Sequence, residues 1–180
     1  MFRHLKNLPS PPMPKPGPVS VLIAEDHVLV AEALCCMLER YGRYRCEIVH
    51  DALDAKAALR ANPGYDIMLL DLNMPGMAGL LDLADMVACA GDTPVLLLTA
   101  DDQVRVEAAF AAGVRGISFK HHPASETRKA MAKVLSGYRH VPCPPDDSAR
   151  TQTLRHAFRS EPSALMAAPD AQTTATAYRG

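Results

Sequence analysis

The chain has 180 residues, 48% apolar and 22% charged, which supports one globular domain of ordinary size with sequence to spare. Nineteen Lys and Arg against 20 Asp and Glu leave a formal net charge of −1, so no overall field points to nucleic acid or anionic lipid. No apolar run reaches the roughly 18 residues of a membrane helix, and prolines stand where a signal peptide would carry its apolar stretch, so a cytoplasmic protein is expected.

Residues 1–18 hold six prolines between Pro9 and Pro18. Proline fixes φ and removes donors, so this segment reads as an extended, mobile leader. From residue 19 to 140 the pattern alternates between short apolar runs and helical spacing. Val19–Ala24 reads as a strand. Val28–Tyr41 follows as a helix, with Leu29, Ala33, Leu34, Met37 and Leu38 at helical spacing. Arg45–Val49 is a short strand, and Leu53–Ala61 an Ala-rich helix closed by Asn62-Pro63-Gly64. Then come a strand at Ile67–Leu70, a helix at Gly79–Cys89, a strand at Val95–Thr99 and a helix at Gln103–Ala112 ended by Gly113. Gly116–Phe119 is the last strand, and Ala124–Gly137 an amphipathic helix with Met131, Val134 and Leu135 inward. Continuous apolar strands between helices predict a parallel sheet covered on both faces, a doubly wound five-stranded α/β domain. Residues 141–180 carry Pro142, Pro144, Pro145, Pro162 and Pro169 and end in small polar residues, so disorder or a marginal helix is expected.

The cysteines stand at 35, 36, 46, 89 and 143; the number is odd and no pair has Cys-x-x-Cys spacing. They read as buried free thiols behaving as small apolar residues.

The polar residues of interest follow the apolar runs. Val21-Leu22-Ile23-Ala24 leads into Glu25-Asp26, Ile67-Met68-Leu69-Leu70 into Asp71, Val95-Leu96-Leu97-Leu98 into Thr99, and Gly116-Ile117-Ser118-Phe119 into Lys120. Ligands of open parallel sheets bind outside the carboxyl ends of the strands, where strand order reverses. Clustered carboxylates need a cation among them, and oxygen-only donors suit Mg²⁺. An aspartate can attack phosphorus, a lysine offsets charge on the transferring group, and a threonine hydroxyl can donate to a phosphoryl oxygen. Taken singly, Asp26 or Thr99 reads equally as a helix cap and Lys120 as a surface charge. Their joint occurrence at four strand ends favours a site.

The segments Val21–His27, Asp71-Leu72-Asn73-Met74-Pro75-Gly76-Met77-Ala78-Gly79, Thr99-Ala100 and the strand end at Lys120 resemble the response-regulator receiver domain of two-component signalling. The resemblance covers about residues 19–138. His27 after the acidic pair and Gly113-Val114-Arg115-Gly116 make it most similar to the NarL/FixJ-type class. It implies the flavodoxin-like (βα)5 fold, with Asp71 phosphorylated by a sensor histidine kinase or a histidine phosphotransfer protein. It further implies Mg²⁺ on Asp26, the Asp71 carboxylate and the Asn73 backbone carbonyl, with Glu25 acting directly or through water. Thr99 and Lys120 would contact the phosphoryl group. Phosphorylation would then alter the surface from Gln103 to Gly137 for a partner or a second copy of the chain. The resemblance implies signalling rather than enzymatic turnover.

The sequence departs from that family at Ile117, where an aromatic residue is usual three places before the lysine, and at His121-His122, which precede Pro123. The 40 residues after His140 are too short and proline-broken for the DNA-binding domain of the NarL/FixJ-type class, so DNA is not an expected partner. A remnant of a DNA-binding regulator is the alternative. A magnesium-dependent phosphohydrolase is the remoter one, because Asn73 stands where such enzymes place an acid/base aspartate.

Overall fold

The computed structural model describes residues 17–100 and 106–142. The expected leader, the tail beyond residue 142 and the start of the helix expected at Gln103 lie outside the described residues.

Five strands and five helices alternate along the chain: β1 (Val19–Ala24), α1 (Val28–Glu39), β2 (Tyr44–Val49), α2 (Ala52–Ala61), β3 (Ile67–Asp71), α3 (Leu80–Ala90), β4 (Val95–Thr99), α4 (Val106–Ala111), β5 (Gly116–Phe119) and α5 (Ala124–Leu135). All neighbouring strands are parallel, in the order β2-β1-β3-β4-β5. The order reverses between β1 and β3. This is the flavodoxin-like doubly wound arrangement the sequence reading expected.

Side chains of a strand alternate between faces, and here both faces are apolar. Leu22, Ala24, Met68, Leu70, Val95, Leu97 and Ile117 join the core beneath α2, α3 and α4. Val21, Ile23, Ile67, Leu69, Leu96 and Leu98 join the core beneath α1 and α5. Both clusters bury against helix stripes, Ala52, Ala55 and Leu59 of α2 on one side and Ala130, Met131 and Val134 of α5 on the other. Each fully buried Leu, Ile or Met contributes about 1.5–3 kcal/mol of transfer free energy, and this double burial makes the three central strands continuous apolar runs.

Local signals place the helices. Asp51 caps α2 by accepting from the Asp54 backbone N–H at 2.7 Å. Gly113 follows α4 at φ +101°, where L side chains are strained, and a Cβ there would come within 2.8 Å of Val87. After α5 the chain returns along β5: Ile117 N–H donates to His140 C=O at 3.1 Å and His140 N–H to Arg115 C=O at 3.0 Å.

Two expectations need correction. Leu29 and Ala33 do not belong to the inward face of α1: Leu29 is 80% exposed, whereas Ala31 and Leu38 are buried with Leu34 half-buried between them. Positions 31, 34 and 38 follow the three- and four-residue steps of one helix face; 29 and 33 fall on the opposite, exposed side. The cysteines are also less buried than expected. Cys35, Cys46 and Cys89 are half-buried free thiols and Cys36 is exposed; Cys143 lies outside the described residues. Among the described residues, no helix is long and apolar enough to cross a membrane.

Candidate functional site

The carboxyl ends of β1, β3, β4 and β5 deliver Glu25, Asp26, Asp71, Thr99 and Lys120 to one edge of the sheet. These residues lie beside the β1/β3 reversal, the position at which open parallel sheets bind ligands. Glu25, Asp71 and Thr99 are buried, at 0%, 1% and 0% exposure. Their backbones are held by the sheet or its extension: Glu25 N–H donates to Val49 C=O at 3.0 Å and Lys120 N–H to Thr99 C=O at 2.8 Å.

Lys120 joins the two buried carboxylates. Its Nζ lies 2.8 Å from Asp71 Oδ2 and 2.6 Å from Glu25 Oε2. Burial alone would lower the lysine pKa, but its contacts with the Asp71 and Glu25 carboxylates outweigh it and hold the pKa above its ordinary value. The ammonium is therefore the counter-charge set between two buried carboxylates. The second Asp71 oxygen, Oδ1, accepts from the Asn73 backbone N–H at 3.1 Å. That bond curls the chain just after β3.

His27 is a member of the site that the sequence reading left without a role. Its backbone N–H donates to Glu25 Oε1 at 3.2 Å, and its Nδ1 lies 3.0 Å from the same oxygen and 2.7 Å from Asp26 Oδ1. The Glu25 hydrogen bond, then the Asp26 charge, raise the His27 pKa. His50 adds a contact from Nδ1 to the Glu25 carbonyl at 2.8 Å. The position of His27 directly after an acidic pair was a legible signal; His50, 25 residues away from its partner, gave none.

The donor set is of the kind that suits a hard cation. Glu25, Asp26, His27 and Asp71 each bring one ligand atom into a group spanning 4.8 Å. Glu25 Oε2 and Asp26 Oδ1 are buried oxygens without a hydrogen-bond partner; Lys120 and His27 stand at ion-pair distance from them, 2.6 and 2.7 Å. Buried acceptors left open beside further carboxylates match what Mg²⁺ requires.

The departures take definite places. Ile117 is fully buried in the core beneath α2, α3 and α4. His121 stacks on Phe119 at 5.3 Å between centroids with 19° between planes, and His122 meets both rings edge-on. The histidines thus extend an aromatic cluster from the end of β5.

The family model described as response regulator receiver domain matches residues 21–132. The glycerol metabolism activator of Pseudomonas putida is 36% identical over 135 residues, covering 73% of this chain and 59% of that protein. The transcriptional regulatory protein YdfI of Bacillus subtilis is 30% identical over 139 residues, covering 75% of this chain and 62% of its own. Among solved structures, the signal receiver domain of the response regulator NarL from Mycobacterium tuberculosis superposes with a TM-score of 0.60 at 30% identity, covering 68% of this chain and 99% of that domain. The chain spans about three fifths of the length of the curated regulators it matches.

Proposed function

The chain belongs to the family of response regulator receiver domains, and from that premise we propose that Asp71 accepts a phosphoryl group from a phosphohistidine donor, a sensor histidine kinase or a histidine phosphotransfer protein. One Asp71 oxygen bonds to phosphorus as the bond from phosphorus to the donor imidazole nitrogen breaks. That nitrogen keeps the electron pair and takes a proton from solvent. The observation that carries the reading is the bond from Lys120 Nζ to Asp71 Oδ2 at 2.8 Å across a pocket in which Asp71 is 1% exposed. An aspartate in this position can attack phosphorus, and the ammonium beside it stands ready to neutralise phosphoryl oxygens as they arrive. Thr99, buried at the adjacent strand end, donates its hydroxyl to a phosphoryl oxygen in this reading.

Asp26, the Asp71 carboxylate and the Asn73 backbone carbonyl would hold Mg²⁺, with Glu25 bound directly or through water. When bound, the ion offsets the charge that gathers between the carboxylate and the incoming phosphate. Lys120 then turns from neutralising Asp71 and Glu25 to neutralising the phosphoryl group. The phosphorylated state would then shift the Thr99 loop and the surface between residues 103 and 137. That surface is where a partner protein or a second copy would read the phosphorylated state. In this reading residues 19–140 form the receiver. Asn73 at the usual acid/base position argues against sustained phosphohydrolase turnover.

The name transcriptional regulatory protein, carried by a relative of greater length, favours one second reading, that this receiver derives from a DNA-binding regulator. Gel shift with random duplex DNA across salt concentrations tests it; binding that weakens steeply with salt would support it. The primary reading is tested by incubating the full chain with acetyl phosphate and Mg²⁺ and reading intact mass. One added phosphoryl group is expected, absent in Asp71→Ala and absent with EDTA. No adduct after rapid quenching, or an adduct that survives in Asp71→Ala, would refute it.

A further inference from the structure

A second cluster of ligand-bearing side chains lies away from the acidic pocket. Cys35 and Glu39 are four residues apart on α1 and so share a face, and Cys46 stands on β2, the strand against which α1 packs. The two sulfurs and a Glu39 carboxylate oxygen all lie within 4.8 Å of one another. Both thiols are free and half-buried against the core beneath α1, while Glu39 is exposed and opens the cluster to water. Two thiols used merely as apolar filler would not be expected to converge with a carboxylate.

We propose that Cys35, Glu39 and Cys46 form a binding site for a thiophilic divalent cation, Zn²⁺ foremost, which clips α1 to β2. Two sulfurs and one oxygen select a borderline-soft ion over Mg²⁺. Three protein ligands with water in the fourth position are an established zinc arrangement. In a tetrahedral shell with Zn–S of about 2.3 Å, neighbouring ligand atoms lie roughly 3.4–3.8 Å apart. The present spacing, at most 4.8 Å, therefore closes by roughly 1.4 Å at most, which side-chain rotation supplies, chiefly at the exposed Glu39.

Without metal, burial pushes the Cys46 thiol up to about 12 and raises Cys35 as well. Neither is a thiolate near neutral pH, so neither acts alone as a nucleophile or redox sensor. Coordination changes that. Each thiol hands one proton to solvent as its sulfur bonds to the ion, so two protons leave per Zn²⁺ and no electron is transferred. Because α1 begins directly after His27, the clip would anchor the helix that follows the acidic pair. The proposal stands whether or not Asp71 is a phosphoacceptor.

The test uses the full chain, kept reduced with a sulfur-free phosphine, and Co²⁺ as the optical probe. Co²⁺ in the acidic pocket has no sulfur ligand and gives no sulfur-to-metal charge-transfer band, so the two sites are separable. The expected result is a band saturating at one ion per chain and bleached by Zn²⁺. It should persist in Asp71→Asn, Cys36→Ser, Cys89→Ser and Cys143→Ser, and vanish in Cys35→Ser with Cys46→Ser. Glu39→Gln, a surface change that leaves the fold intact, should weaken Co²⁺ binding by about tenfold or more. Circular dichroism checks folding, and Cys46→Val replaces the serine variant if that one unfolds. No band in the wild type, or a band that survives loss of Cys35 and Cys46, would overturn the site. An unreduced chain two hydrogens light, with no band after reduction, would make the pair a disulfide and overturn it equally.

Discussion

Replacing Lys120 by Met keeps most of the side-chain stem and removes the ammonium that lies 2.8 Å from Asp71 and 2.6 Å from Glu25. The two carboxylates left behind are 1% and 0% exposed, whereas the lysine itself is 19% exposed. Breaking a buried ion pair from one side costs about 3–5 kcal/mol, because a charge is stranded out of water. Partial access of the ammonium to solvent places this case near the low end, about 3 kcal/mol. With a urea m-value of about 1.5–2 kcal/mol/M for a domain of this size, the midpoint falls by roughly 1.5–2 M. The assay is urea unfolding followed by far-ultraviolet circular dichroism in EDTA near pH 7.5, repeated with saturating Mg²⁺. An ion at about 100 times its dissociation constant adds about 2.7 kcal/mol to the folded state. The variant, lacking its internal counter-charge, binds the ion more tightly, so the gap to wild type narrows with Mg²⁺. Midpoints in EDTA that coincide, or a gap that Mg²⁺ leaves unchanged, would refute the claim that Lys120 balances these carboxylates.

Asp71→Asn in the same metal-free buffer should be neutral or stabilising, since it removes one of two buried charges held by a single ammonium; a loss above about 1 kcal/mol would count against the repulsion argument. Gly116→Ala should destabilise by about 1–3 kcal/mol, read as a lowered Tm, because a Cβ there would come within 2.8 Å of Val134 and 2.9 Å of Leu96. His140 has its pKa lowered, first by burial and then by the charge of Lys133. The unfolded chain therefore takes up the proton first as pH falls. Stability contributed by the neutral ring is present above pH about 6.5 and is lost below it, toward the folded value. His140→Asn should flatten that part of the stability profile, measured by unfolding between pH 7.5 and 5.5; an identical slope in the variant would sink the assignment.

The central strands were legible because each carries an unbroken apolar run, as in Ile67–Leu70 and Val95–Leu98, and a run buried on both faces of a sheet has no competing periodicity. The same feature exposed the site, since a charged or hydroxyl residue directly after such a run stands out at Glu25, Asp71, Thr99 and Lys120. β2 was marked less clearly because it lies at the sheet edge and alternates between half-buried and exposed positions. α1 misled for a related reason: its N-terminal residues Val28, Leu29 and Val30 are apolar yet exposed, so hydrophobicity there does not report the core. Contacts set by strand pairing were beyond reach. Cys46 meets Cys35 only because β2 lies parallel to β1 in a particular register, and their spacing in sequence resembles no metal motif. His50 reaches Glu25 through that same pairing. The Ile117 departure was legible as a departure, while the packing that replaces an aromatic ring became visible only in the fold.

The most direct test of the account is the location of the phosphoryl group, not merely its presence. The chain phosphorylated with acetyl phosphate and Mg²⁺ would be treated with hydroxylamine, which converts an acyl phosphate to a hydroxamate, and the peptides then mapped by mass spectrometry. The account predicts a single hydroxamate at Asp71. Modification at Glu25 or Asp26, or phosphate retained on His121 or His122 through the hydroxylamine step, would contradict it.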